Sequence, residues 1–212
     1  MRTELKLAVL AAAVALVACG KKEDAASPAA PAAPAAGETV VVKIGHVAAT
    51  SGAVAHLGKD NENGARLAID ELNAAGVKIG SQTARFELLA EDDAADPKQA
   101  TAAAQKLVDT NVNGVVGHLT SGATLPASVL YNEAGIPQIT PSSTNPKFTR
   151  QGFPGAFRLV ADDTQQGGAM GRYTVQTLKA KTVAVIDDRT AYGQGLADEF
   201  EKAAKAAGAE VV

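Results

Sequence analysis

A chain of 212 residues with 20 Lys and Arg against 23 Asp and Glu carries a formal charge of −3, and the two signs are interspersed. That balance excludes the concentrated basic patch a nucleic-acid surface requires. The apolar fraction of 46% suffices for one sizeable domain, or for one domain plus part of a second, and the single cysteine, Cys19, rules out an intramolecular disulfide.

Arg2 and Lys6 precede an unbroken apolar run from Leu7 to Ala18. The run is too short to span a membrane as a mature helix, so residues 1–18 read as an export signal. It ends Leu16-Val17-Ala18-Cys19-Gly20, which resembles a bacterial lipobox, with cleavage before Cys19 and lipidation of that residue. The other reading, removal of Cys19 with an ordinary signal, prefers a small residue where Leu16 stands. Residues 19–38 hold Ser27-Pro28-Ala29-Ala30-Pro31 and Ala33-Pro34. Such an Ala/Pro-rich segment buries too little surface to fold and is expected to act as an extended tether, on the order of 60 Å long.

From Thr39 the pattern alternates strand and helix. Val40 to Gly45 is a strand of β-branched residues, and Gly58 to Ala75 a helix with Ala65, Ala68, Ile69 and Leu72 on its inner face, stopped by Gly76. Phe86 to Ala90 is the second strand. Its helix opens with Asp96 as N-cap, Pro97 at the first helical position and Gln99 as a capping-box partner, burying Ala100, Ala103, Ala104 and Leu107. Val112 to Val116 and Ile136 to Ile139 are strands flanking a helix over 123–133, and Ala156 to Val160 is a further strand. The pattern then restarts, with a helix over 164–178, a strand over 182–186, a helix over 191–207 with Leu196, Phe200, Ala203 and Ala207 inward, and a strand opening at Glu210. Strands alternating with helices predict an α/β fold with a doubly wound parallel sheet, helices on both faces, and ligands at the carboxyl ends of the strands near the switch in strand order. Residues 39–161 form the first lobe, itself incomplete, and residues 162–212 the start of a second α/β lobe. The chain stops where only two strands of that lobe exist, so it is expected to be truncated.

The stretch that organises the whole is Gly117 to Thr124, Gly-His-Leu-Thr-Ser-Gly-Ala-Thr, between an apolar strand and a helix. Small and hydroxyl residues at that turn present backbone N–H groups and hydroxyl oxygens at the positive end of a helix dipole, an anion site without Lys or Arg. A carboxylate is the expected anion. Similar chemistry follows the next strand, in Thr140-Pro141-Ser142-Ser143-Thr144, and two such loops on neighbouring strands can converge on one ligand.

Together with Ser51-Gly52, Glu91 to Ala100 and Ala191-Tyr192-Gly193-Gln194-Gly195-Leu196, these loops resemble the leucine/isoleucine/valine-binding group of type I periplasmic binding proteins, the substrate-binding components of branched-chain amino acid ABC transporters. The resemblance runs from about Val40 to the end. It implies two α/β lobes hinged to close on a small amino acid, an inner-membrane ABC permease as partner, no cofactor and no catalytic activity, and a periplasmic location, here with a membrane anchor through Cys19. It further implies that Ser121, with Leu119 and Thr120 in the same loop, binds the α-carboxylate, and that Ser142 and Thr144 hold the ammonium and carboxylate. Asp163 is placed beside the site at the first crossover, and Tyr192 against the ligand from the second lobe. Leu57 stands where many relatives place a tyrosine beside the ligand side chain. Ala95 and Thr120 replace a cysteine pair common among relatives, and the acidic partner for the ammonium belongs to a part of the second lobe not present here.

Each of these residues has a plainer reading. Ser121 can be a helix N-cap, Ser142 and Thr144 turn residues between Pro141 and Pro146, Asp162 and Asp163 solvated loop carboxylates, and Tyr192 core. His46, His56 and His118 lack the paired spacing of a metal site. No Gly-x-Ser-x-Gly elbow accompanies Ser121, and Gly193-Gln194-Gly195 lacks the third glycine of a dinucleotide fingerprint. A sensor lobe of the same fold, or a fragment without function of its own, are the rival readings to transport.

Overall fold

The computed structural model describes residues 38–212. The expected export signal, Cys19 and the tether up to Gly37 lie outside the described residues.

β1 (Thr39–Ala48) is the central strand, and its Val-rich start suits a pleated ladder. It pairs in parallel with β3 (Gln82–Asp92) on one side and β4 (Gly114–Gly117) on the other. β5 (Gln138–Thr140) and β6 (Ala156–Arg158) continue the sheet in parallel, and β2 (Lys78–Ile79) adds an antiparallel edge. The order β2-β3-β1-β4-β5-β6 reverses at β1, so the expected doubly wound sheet is present and its switch point brings the carboxyl ends of β1 and β4 together. A second, two-stranded parallel sheet joins β7 (Thr182–Val183) to β8 (Glu210–Val211).

Alternation along the strands assigns the faces. Val47, Leu89 and Val115 meet α2 (Pro97–Asp109), whose Ala103, Ala104 and Leu107 are buried, and α3 (Ser121–Glu133) through Ala127 and Tyr131. The predicted inner face of α2 is fully buried, and Asp96 caps the helix by accepting the N–H groups of Lys98 and Gln99, both at 2.9 Å. The reciprocal bond expected from the Gln99 side chain is not made.

α1 (Ala55–Ala75) starts three residues before the expected boundary, and its inner face differs from the prediction. Gly58 and Glu62 are its buried residues; Ala65 and Ile69 are half-buried, and Ala68 and Leu72 are exposed. The reason is where the helix touches the sheet. A Cβ on Gly58 would overlap the Ala49 carbonyl, so the amino-terminal turns press on the end of β1. Further along, a groove of about 450 Å³ separates Ala65, Ala68 and Leu72 from Ile44, Leu88 and Val116.

Strand ends also shift. β1 and β3 are longer than predicted because they ladder with one another over ten pairs. β5 begins two residues late, because the Ile136 N–H bonds back to the Tyr131 carbonyl at 2.8 Å and Pro137 has no N–H to give. β6 ends two residues early, β4 is displaced to 114–117, and β7 stops at Val183 because its only ladder is the short β8, leaving Ile186 95% exposed. The β2 edge and α4 (Lys147–Arg150) were not foreseen. α5 (Asp163–Gln176) and α6 (Ala191–Ala206) pair closely, Gly167 and Gly171 lying under Phe200. On α6 the fully buried residue is Ala204, and the predicted Leu196, Phe200, Ala203 and Ala207 are half-buried.

Candidate functional site

The β4 strand turns into α3 through Gly117, whose φ of 145° is closed to residues with side chains and whose Cβ would overlap the Val47 carbonyl. The next residues are thereby pulled tight against β1, where Leu119 packs on Ala48 and Ala49. Thr120 takes the N-cap position but makes no side-chain cap bond, and Ser121 is the first residue of the helix rather than its cap. Ser121 is 1% exposed; its Oγ accepts the Asn145 N–H and the Ser143 hydroxyl, both at 3.3 Å.

The loop after β5 is stitched to the loop after β4. Thr140 Oγ1 donates to the His118 carbonyl at 2.8 Å and accepts the N–H groups of Ser142 and Ser143 at 3.3 and 2.9 Å. Ser142 Oγ donates to the Leu119 carbonyl at 2.8 Å. Thr144 is nearly buried, its hydroxyl has no partner, and its carbonyl accepts the Asp163 N–H at 2.9 Å. Ser121, Ser142, Thr144, Leu119, Thr120 and Asp163 thus form one connected group at the carboxyl edge of the sheet.

Asp163 is fully buried and neither carboxylate oxygen has a hydrogen-bond partner. Burial pushes its carboxyl above the usual range, against the opposing pull of the Thr144 hydroxyl, which faces it without meeting hydrogen-bond geometry. It lies against Gly195 of α6, and Asn145 Nδ2 donates to the Ala191 carbonyl at 3.0 Å. Those contacts carry the start of α6, with Tyr192 as its second residue, to the same loop. Tyr192, in the first turn of α6, and Leu57, in the first turn of α1, are surface side chains, 43% and 47% exposed. Thr120 Oγ1, Thr144 Oγ1 and the Asp163 carboxylate are buried polar atoms left without a partner. Such orphans are costly and call for an explanation.

Several contributors escaped the sequence reading. Asn145, between Thr144 and Pro146, ties the Ser121 hydroxyl to α6. Asp162 was named only with Asp163, its plainer reading a solvated loop carboxylate; it is a capping-box residue, accepting the Gln165 N–H at 3.0 Å while Gln165 Oε1 accepts the Asp162 N–H at 3.3 Å, and it pairs with Arg150 at 3.1 Å. The Asp-x-x-Gln spacing of 162–165 was a signal for it. Of the histidines, His46 is fully buried with neither ring nitrogen bonded, and burial holds its pKa down. His118 is bound to Asp93 and Tyr131.

Residues 41–212 match the family model described as Periplasmic binding protein. The chain is 49% identical over 158 residues to an amino acid binding protein of Pseudomonas aeruginosa, covering 74% of this chain and 41% of that protein. It is 40% identical over 171 residues to the leucine-specific-binding protein of Salmonella typhimurium, covering 81% and 46%. Among solved structures, the branched-chain amino acid transporter substrate binding protein of Streptococcus pneumoniae in complex with isoleucine superposes with a TM-score of 0.72 at 34% identity, over 82% of this chain and 48% of that one. The chain therefore spans less than half the length of these relatives, and it belongs to the periplasmic binding protein family, where it resembles the branched-chain amino acid substrate-binding group.

Proposed function

We propose that the protein is an extracytoplasmic solute-binding protein that captures a small amino acid, a branched-chain one first among them, and delivers it to an inner-membrane ABC permease. The observation that carries this reading is the stitched pair of hydroxyl loops with unpaired hydroxyls on Thr120, at the start of α3, and on Thr144, in the loop after β5. Hydroxyl and N–H donors there suit a carboxylate, and the Ser142 carbonyl suits an ammonium. The named ligands of the relatives, leucine and isoleucine, support the same class. Residues 39–161 act as the first ligand lobe and 162–212 open the second, from which Tyr192 reaches the ligand, while Leu57 borders its side chain. Ligand held by the first lobe favours closure through second-lobe contacts. Cys19 carries the lipid that holds the protein at the periplasmic face of a membrane.

Charge-assisted hydrogen bonds are worth about 1.5–3 kcal/mol each. Ser121→Ala combined with Thr144→Ala in the full-length protein is therefore expected to abolish leucine binding measured by calorimetry. Unchanged affinity in the double variant would remove this site assignment.

A further inference from the structure

His118 directly precedes Leu119, Thr120 and Ser121, yet its ring is completely buried. Nδ1 lies 2.7 Å from Asp93 Oδ2, and Nε2 lies 3.2 Å from the Tyr131 hydroxyl. Asp93, in the loop after β3, is fully buried, and Tyr131, on α3, is 1% exposed. Burial, reinforced by the Asp93 and Glu91 charges, pushes the Tyr131 phenol up, so it remains an O–H, which donates to Nε2 when the ring is neutral. A carboxylate only accepts, so Nδ1 carries the proton and donates to Asp93. The second oxygen of Asp93 accepts the Ala95 N–H at 2.9 Å.

The main chain of the same residue reaches the other loop. The His118 carbonyl accepts the Thr140 hydroxyl at 2.8 Å, and the Thr124 hydroxyl, 3.3 Å away, is shared with the closer Thr120 carbonyl at 2.9 Å. Thr140 Oγ1 in turn accepts the N–H groups of Ser142 and Ser143. One residue is thus fixed by its side chain to the β3–α2 loop and to α3, and through its carbonyl it holds the loop after β5.

We infer that His118, oriented by Asp93 and Tyr131, is a positioning residue that keeps the two hydroxyl loops in register for the ligand; this rests on reading those loops as the ligand site. It acts only through Leu119 to Ser121 and Thr140 to Ser143. Removing the Tyr131 hydroxyl leaves the buried Nε2 without its partner, which loosens the ring and with it the hold on the His118 carbonyl.

The test compares Tyr131→Phe and His118→Asn with Leu107→Ala in the full-length protein. Asn keeps a donor for Asp93 but offers nothing to Tyr131. Leu107 is a core residue of α2 facing Gly45 and Val115. The leucine Kd, the Tm and the ligand-free amide shift of Ser143 are measured for each. The expected result is a Kd raised about fivefold or more in the first two variants, the scale of one lost hydrogen bond, with the Ser143 amide displaced. Leu107→Ala is expected to lower Tm at least as far while leaving Kd and Ser143 unchanged. Unaltered Kd and Ser143 in Tyr131→Phe and His118→Asn would overturn the inference, and so would an equal loss of affinity in Leu107→Ala. Should the unsubstituted protein bind no amino acid, the ligand reading itself fails; the Ser143 shift then still decides, a displaced signal supporting the role of His118 and an unmoved one refuting it.

Discussion

Neither oxygen of the Asp163 carboxylate has a partner, and burial raises its pKa. A carboxyl with a raised folded-state pKa holds its proton more tightly folded than unfolded. Above the ordinary carboxylate value of about 4, stability accordingly falls as pH rises toward the raised value. Asp163→Asn is expected to abolish that slope and to be the more stable protein near neutral pH, because the amide carries no charge into the buried site. Urea unfolding of both proteins across this range measures it; an Asn variant less stable at neutral pH would mean that the carboxylate has a counter-charge. At this scale the sequence was partly legible. Ser121, Ser142 and Thr144 could be singled out because hydroxyls at a strand-to-helix turn have a recognisable chemistry. Asn145, His118 and Asp93 could not, because what they contribute depends on which way a side chain points from a loop, and that is settled by neighbours distant in sequence, 46 residues away for Asn145 and Ala191.

The amino-terminal end of α5 rests on Asp162. Its carboxylate accepts the Gln165 N–H and faces Arg150 at 3.1 Å and Arg158 at 3.6 Å. Because Arg158 ends β6, the same carboxylate clamps the crossover from the first sheet to the second. Loss of a capping side chain costs about 1 kcal/mol, up to about 2. Asp162→Ala is therefore expected to lower stability by that amount in thermal or denaturant unfolding, and a change near zero would return Asp162 to the class of solvated loop carboxylates. Elements were legible where signals were local. The Asp96-Pro97 start of α2 and its alanine face formed as read, since cap, ring and period all act within one turn. The face of α1 was not legible, because Ala68 and Leu72 follow the helical period but the groove keeps that stretch away from the strands. Strand ends followed their ladder partners, as β7 does with β8, and pairing is not written in a strand's own residues.

Across the whole molecule, the reversal of strand order at β1 sets the location of everything else. It puts the ends of β1 and β4 side by side, the β5 loop locks onto the β4 loop through Thr140 and Ser142, and the crossover after β6 delivers Asp163 and then α6 to the same edge. The alternation of strands and helices made this class of fold readable, and the ordered set of loop motifs made the family recognisable. The approach of α6 to this edge was implied only by the resemblance, through Tyr192; the Asn145–Ala191 bond that makes the contact was beyond sequence reading. Calorimetric titration of the full-length protein with leucine and with 4-methylpentanoate, the same acid without its ammonium, tests amino-acid capture most directly. Leucine is predicted to bind and 4-methylpentanoate to bind at least about tenfold more weakly, the loss of roughly one charge-assisted bond. Equal binding of the two acids, or heat from neither leucine nor any other aliphatic amino acid, would contradict it.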